Sequence, residues 1–126
     1  GTTAVQAEQK YVAATGKHFL GYSDPLTGID RTTAWIPDRE LREYFVPSFA
    51  SAIKAGLQTV MINSGDINGV PVHASHEILT DLLRGDLGFK GVAVSDWETS
   101  SASTPCITSR QRGRTRCAWR SWPAST

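Results

Sequence analysis

The residues best suited to chemistry follow a short apolar run. Ser95, Asp96, Trp97 and Glu98 come directly after Val92–Val94, whose mostly β-branched side chains are typical of a strand buried on both faces. In parallel α/β folds, side chains at the carboxyl ends of strands line the active site. Asp96 could therefore act as a nucleophile or a base, with the Trp97 indole stacking on a flat substrate face. The alternative is a solvated loop acid that caps the next helix.

A second candidate is a pair of histidines, His73 and His76, which stand three residues apart and suggest metal ligation. No acid or cysteine lies at ligand spacing beside them, so the sequence disfavours a metal site. We interpret the two residues as loop and helix-cap residues, and we expect no cofactor.

A site at the end of one strand needs the ends of neighbouring strands beside it. The chain alternates between helical and strand patterns. Strands that alternate with amphipathic helices predict right-handed βαβ units and a parallel sheet. About three strands are present, which is too few for a closed barrel, so the folded part looks like a slice of something larger. The first predicted elements are helix 4–14, strand 17–20 and loop 21–37. A second helix is capped by Asp38, kinked at Pro47 and ended by Gly56, and strand 57–63 follows it. A third helix begins at Ser75 and buries Ile78, Leu79, Leu82 and Leu83, and it leads to a strand that ends at Asp96.

The charge distribution divides the 126 residues into two parts. Residues 1–98 hold 12 acids and 8 bases, a net charge of −4, whereas residues 99–126 hold 5 arginines and no acid. Both cysteines, Cys106 and Cys117, lie in the second part and say little about the redox compartment of the first. No apolar run approaches the roughly 20 residues that span a bilayer. The first residue is Gly1 rather than Met, which suggests a start further upstream.

Three landmarks, taken in order, make the chain resemble glycoside hydrolase family 3, whose members include β-glucosidases and related exo-acting enzymes. The likeness covers roughly residues 12–98, and the ordered set is far more specific than any landmark alone. The landmarks are Lys17-His18-Phe19; Val60–Asn63 with Asn68–Ala74; and Leu79–Arg84 continuing through Gly88–Gly91 to Ser95-Asp96-Trp97.

The resemblance implies a (β/α)8 barrel, of which this chain holds about three β/α units from the later strands. It implies a retaining mechanism that hydrolyses terminal β-linked sugars through a covalent intermediate on Asp96 as the catalytic nucleophile. Lys17 and His18 match residues that hold sugar hydroxyls in the first subsite, and Trp97 matches an aromatic residue beside the nucleophile. The resemblance also suggests a secreted or periplasmic location. Asp24, Asp30, Arg31 and Asp66 lie in the two loops expected to face the site, and nothing in the sequence selects among them.

The same resemblance indicates what this chain lacks. In the family the acid/base glutamate is generally carried by a domain after the barrel, and nothing here matches it. Glu98 is too close in sequence to Asp96 to serve. We therefore expect the isolated chain to be inactive.

Residues 99–126 depart from the family pattern and read as an irregular basic tail. Taken literally, such a tail suggests nucleic acid or an anionic surface as a partner. Codons can also be chosen so that a shifted reading frame of this stretch continues the resemblance, which raises the hypothesis of a frameshift in the gene or its sequencing.

Three readings of function remain. The first is a fragment of a retaining exo-acting glycosidase, most simply a β-glucosidase, which takes a carbohydrate substrate and neither nucleic acid nor a membrane as partner. The second is a non-catalytic carbohydrate-binding or interaction fragment, and Asp96 argues against it because a pure binder has no need of that carboxylate. The third is a nucleic-acid-associated protein, which the acidic balance of residues 1–98 disfavours.

Overall fold

The computed structural model describes residue 8 and residues 10–97. Within these residues, five strands, two helices and the short 3-10 turn Val72–Ala74 account for the regular structure. The strands are β1 (Thr15–Phe19), β2 (Thr59–Ile62), β3 (Asp66–Ile67), β4 (Val70–Pro71) and β5 (Val92–Val94). Helix α1 covers residues 38–54 in three consecutive segments, Asp38–Glu40, Leu41–Phe45 and Val46–Lys54, and helix α2 is Glu77–Asp86.

A parallel sheet in the order β1-β2-β5 forms the centre of the fold. Helix α1 connects β1 to β2 and helix α2 connects β2 to β5, so the predicted βαβ pattern is confirmed. Because all three strands run the same way, their carboxyl ends lie at one edge of the sheet. The side chains of residues that follow β1, β2 and β5 are therefore brought to a common face.

The apolar core lies between the sheet and the helices. Phe19, Val60 and Leu83 are almost fully buried, and the Phe19 ring meets the Phe49 ring edge-on, with centroids 5.0 Å apart. On α2, Ile78, Leu82 and Leu83 are buried as predicted, whereas Leu79 is half-buried. Burial of these side chains holds both helices against one side of the sheet.

A small hairpin, β3 with β4, follows β2 and covers part of the site edge. Ile67 pairs with Val70, which leaves Asn68 and Gly69 as a two-residue turn with φ values of 54° and 82°. Asn-Gly favours such turns because both positions need positive φ. The Asn68 side chain also donates to the Ile36 carbonyl and accepts from the Ile36 N–H, both at 2.9 Å, so it fixes the end of the preceding loop.

Three expectations about local structure were wrong. Residues 10–14 of the predicted helix 4–14 are turn, bend and irregular chain, and residues 1–7 and 9 lie outside the described residues. Helix formers without an apolar face to bury do not make a stable helix, and Val12 is 96% exposed. Asp38 does not cap α1: it is the first helical residue, Pro37 holds the cap position, and the Asp38 carboxylate accepts from Arg42 Nε at 3.1 Å.

The third correction concerns β5, which is not buried on both faces. Val92 is 61% exposed and Ala93 is exposed, because β5 is an edge strand and nothing among residues 10–97 covers its far side.

Other expectations held in outline. Loop 21–37 contains only isolated bridges, strand 57–63 shortens to β2, and Ser75 Oγ accepts from the Ile78 N–H at 3.2 Å at the start of α2. A π-type segment, Leu41–Phe45, interrupts α1 just before Pro47, which supplies no N–H to the helix. The tail 99–126, with the frameshift hypothesis, and Glu98 lie outside the described residues.

Candidate active site

Asp96 follows the carboxyl end of β5, and its carboxylate faces the end of β1. The distance from Asp96 Oδ2 to His18 Nε2 is 3.7 Å, and the two side chains are 17% and 19% exposed. The structure thus brings together two of the four predicted site residues. Active sites commonly hold a carboxylate with limited exposure beside a potentially charged partner.

A bulge in β1 aims His18 at this point. Lys17 pairs with Met61 and Phe19 pairs with Ile62, so His18 is an extra residue without a partner in β2. Bulges commonly redirect a side chain next to an active site. The redirected His18 ring also packs against the Tyr22 ring, with centroids 4.7 Å apart and the planes tilted by 59°.

Arg31 is a third group at the site. Its Nη2 lies 4.0 Å from Asp96 Oδ2, and its side chain is 47% exposed. The sequence placed Arg31 in a loop facing the site but could not distinguish it from three acids nearby. Its backbone has a φ of 63°, in the left-handed region, and this conformation orients the side chain. No pattern in the sequence predicts that conformation for an arginine.

The environment of Asp96 favours the ionised carboxylate. The Trp97 N–H donates to Asp96 Oδ1 at 2.6 Å, and this hydrogen bond is the main reason that the pKa of Asp96 lies below its ordinary value. Burial opposes the shift, while the charges of His18 and Arg31 and the Ser64 hydroxyl reinforce it. Asp96 is therefore a carboxylate at neutral pH.

Lys17 and Trp97, the other predicted site residues, are exposed. Within residues 10–97, the Lys17 side chain forms no ion pair, so it takes no part in the pairing between Asp96 and His18. The Trp97 side chain is 76% exposed, so within the described part of the chain it is not core packing. Their roles in substrate binding stay predictions.

The other acids in the two loops near the site differ in the partners of their carboxylates. Asp66 stabilises the hairpin, since its carboxylate accepts from Thr33 Oγ1 at 2.9 Å and from the Gly69 N–H at 3.1 Å. Asp30 accepts from the Tyr22 hydroxyl at 2.8 Å and lies 3.9 Å from Arg31 Nε. Asp24 is exposed in the same loop. Asp30 is thus the acid that joins the residues around Asp96.

The two histidines lie in different surroundings. His76 lies at the start of α2, with Nδ1 3.3 Å from Asp81 Oδ2. His73 lies in the short turn Val72–Ala74, and both of its ring nitrogens are buried. Burial lowers the pKa of His73, an effect that the Asn63 backbone and the Asp96 charge partly offset. No cluster of three or more potential metal ligands occurs within the described residues.

None of the described helices is long and apolar enough to cross a membrane.

Comparison with known proteins supplies the family. Residues 1–118 match the glycosyl hydrolase family 3 N terminal domain. A lysosomal beta glucosidase of Dictyostelium discoideum is 64% identical over 85 residues, which are 67% of this chain and 10% of that protein. A beta-xylosidase of Formosa agariphila is 43% identical over 97 residues, which are 76% of this chain and 13% of that protein. The chain thus spans a small part of the length of these relatives.

Solved structures agree with the sequence relatives. The crystal structure of a beta-glucosidase from Listeria innocua superposes with a TM-score of 0.70 at 33% identity, covering 72% of this chain and 13% of that one. The same enzyme has been solved in complex with glucose. An exo-1,3/1,4-beta-glucanase from Pseudoalteromonas superposes with a TM-score of 0.69 at 38% identity, covering 73% of this chain and 15% of that one. The three-stranded parallel sheet is accordingly part of a (β/α)8 barrel, and the chain belongs to glycosyl hydrolase family 3.

Proposed function

We propose that this chain is the part of a retaining exo-acting β-glucosidase that carries the catalytic nucleophile, Asp96. One observation supports the assignment above all: a mostly buried carboxylate, held in its ionised form, lies at the carboxyl end of a parallel strand 3.7 Å from His18. The names of the relatives, which include beta-glucosidases and a beta-xylosidase, support the same reaction class.

In this mechanism Asp96 attacks the anomeric carbon of a terminal sugar. The carboxylate oxygen forms a bond to that carbon while the glycosidic C–O bond breaks, and the departing oxygen takes a proton from a second carboxyl group about 5–5.5 Å away. Water then attacks the same carbon, gives its proton to the second group and releases Asp96. A low pKa suits Asp96 twice, because it keeps the nucleophile charged and makes the carboxylate a better leaving group in the second step.

The neighbouring residues take the roles that the family resemblance implies. His18 faces the Asp96 carboxylate and holds sugar hydroxyls, as does Lys17. Trp97 stacks on the sugar ring. Buried hydroxyls must be paired if one sugar is to be discriminated from another. We infer that the second carboxyl group lies outside this chain, so that the isolated chain does not turn over substrate.

A hybrid enzyme tests the proposal. It is the Dictyostelium beta glucosidase with residues 12–97 of this chain in place of its own matching segment, assayed on aryl β-glucosides and β-xylosides. We expect the hybrid to be active and Asp96→Asn to lower kcat by at least about 10³-fold, because the substitution removes covalent catalysis.

The matched control is Asp86→Asn, which removes an exposed carboxylate that lies at the end of α2 and pairs with Arg42 at 3.2 Å. We expect this variant to retain full activity. Unchanged turnover in Asp96→Asn would overturn the nucleophile assignment. Sugar binding by the hybrid without turnover would instead favour a carbohydrate-binding role.

A further inference from the structure

The side chains around Asp96 form a closed ring of contacts. Arg31 Nη2 lies 4.0 Å from Asp96 Oδ2, and Arg31 Nε lies 3.9 Å from Asp30 Oδ2. The Tyr22 hydroxyl donates to Asp30 Oδ1 at 2.8 Å, and the Tyr22 ring packs on His18 with centroids 4.7 Å apart. His18 Nε2 completes the ring, 3.7 Å from the same Asp96 oxygen that Arg31 faces. Two cationic or potentially cationic groups thus converge on one carboxylate oxygen.

The loop that carries Tyr22, Asp30 and Arg31 is internally braced. Pro25 and Ala34 form an antiparallel bridge across its base, and Ala34 forms a parallel bridge to Ile67 in the neighbouring hairpin. The hydroxyls of Thr27 and Thr32 are 2.6 Å apart. The loop that carries Arg31 is thus anchored at its base and linked across its middle.

Arg31 also has a strained backbone. Its φ of 63° lies in the left-handed region, which non-glycine residues seldom occupy. Strain of this kind clusters at functional sites, where it orients a side chain at the expense of stability. A glycine would fit the backbone here without strain, so an arginine at this position carries a conformational cost.

We propose that Arg31 is a positioning residue for the Asp96 nucleophile, with Asp30 and Tyr22 holding the guanidinium in place. The inference rests on the proposed function of Asp96 and extends it to the loop after β1. The guanidinium stabilises the carboxylate in its charged form and fixes which oxygen faces the sugar. Tyr22 links the two partners of Asp96, since it packs on His18 and binds Asp30.

The groups facing Asp96 come from every neighbouring element: His18 from β1, Tyr22 and Arg31 from the loop, Ser64 after β2, His73 from the turn before α2, and the Trp97 N–H. The Trp97 hydrogen bond lowers the pKa of Asp96 more than the charge of Arg31 does. Removing Arg31 should consequently raise that pKa without returning it to the ordinary value.

The test measures the pH dependence of kcat/KM in the hybrid enzyme. We expect Arg31→Gln to lower kcat/KM roughly 10- to 100-fold, as misplacement of a reacting group does, and to move the acid limb of the profile to higher pH. In Arg31→Lys the acid limb should lie between those of the parent and Arg31→Gln, because lysine keeps the positive charge but lacks the planar guanidinium. Tyr22→Phe, which keeps the ring on His18 but loses the hydrogen bond to Asp30, should shift the limb in the same direction by less.

Two further variants separate positioning from general stability. Arg31→Gly relieves the backbone strain, so we expect an unchanged or higher Tm together with the same loss of activity. Arg39→Gln removes a 91% exposed arginine that pairs with Glu43 on α1, and it should leave the profile unchanged. An Arg31→Gln variant with the parental pH profile and kcat/KM would overturn the inference, even where Asp96→Asn is inactive. An active Asp96→Asn variant would instead overturn the proposed function itself.

Discussion

Asn63 joins the carboxyl ends of β1 and β2, and its removal gives a sharp test of the fold. The residue is 3% exposed. Its Nδ2 donates to the Leu20 carbonyl at 2.9 Å, and its Oδ1 accepts from the Gly65 N–H at 2.8 Å. Its own N–H donates to the Phe19 carbonyl at 2.6 Å. One side chain therefore satisfies backbone groups on both sides of the edge where the active site lies.

The change Asn63→Ala removes both side-chain hydrogen bonds. Loss of a hydrogen bond whose partner can be hydrated costs about 0.5–1.5 kcal/mol, and loss of one whose partner stays buried and unpaired costs about 1–3 kcal/mol. Leu20 is fully buried, so water cannot replace its lost donor, whereas Gly65 is half-buried and can be partly hydrated. We expect the free energy of unfolding to fall by about 2–4 kcal/mol.

The assay is thermal unfolding of the hybrid enzyme followed by circular dichroism. A loss of this size should lower Tm by roughly 5–15 °C in a barrel-sized domain. The matched control is Thr27→Ala, which also removes two side-chain hydrogen bonds, to Thr32 Oγ1 and from the Ile29 N–H, but on the exposed surface. The control should lower Tm by about 1 °C, since surface changes are usually worth about 0.5 kcal/mol or less. Equal shifts in the two variants would refute the argument that burial decides the cost.

Other predictions concern backbone contacts, capping and charge. Gly91→Ala places a methyl group against the Gln58 carbonyl, so Tm should fall further than in Asn63→Ala. Gly85→Ala, whose nearest new contact is at 3.6 Å within α2, should raise stability by about 0.5–1 kcal/mol, measured by the same melts. Ser75→Ala should cost about 1 kcal/mol through loss of the helix cap. Because the folded-state pKa of Asp96 is lowered, its contribution to stability is present above its unfolded pKa and is lost as the pH falls through the folded value. Tm should therefore depend less on pH below about 4 in Asp96→Asn than in the parent, and parallel pH profiles would contradict this.

The sequence predicted the alternation of the three parallel strands with α1 and α2, and the edge of the sheet where the site lies. Alternating strand and helix patterns imply parallel strands, and parallel strands bring the residues after β1 and β5 together. His18 and Asp96 meet for that reason.

Other features depended on contacts that no local pattern encodes. The bulge at His18 arises from the pairing with β2, and the position of Arg31 depends on a left-handed backbone in a loop closed by the bridge at Pro25. The exposure of Val92 could not be read from its apolar neighbours, since a strand pattern does not say whether the strand lies at an edge. Lys17 adjoins His18 in sequence, yet the bulge gives the two side chains different surroundings.

The central claim is that Asp96 becomes covalently bonded to the sugar during turnover. The most direct measurement is to trap that intermediate in the hybrid enzyme with a 2-deoxy-2-fluoro-β-glucosyl substrate and to locate the label by peptide mass spectrometry. We predict that the label is on Asp96 and that it is absent from the Asp96→Asn variant. A label on any other carboxylate, or a product released with inverted anomeric configuration, would contradict the account.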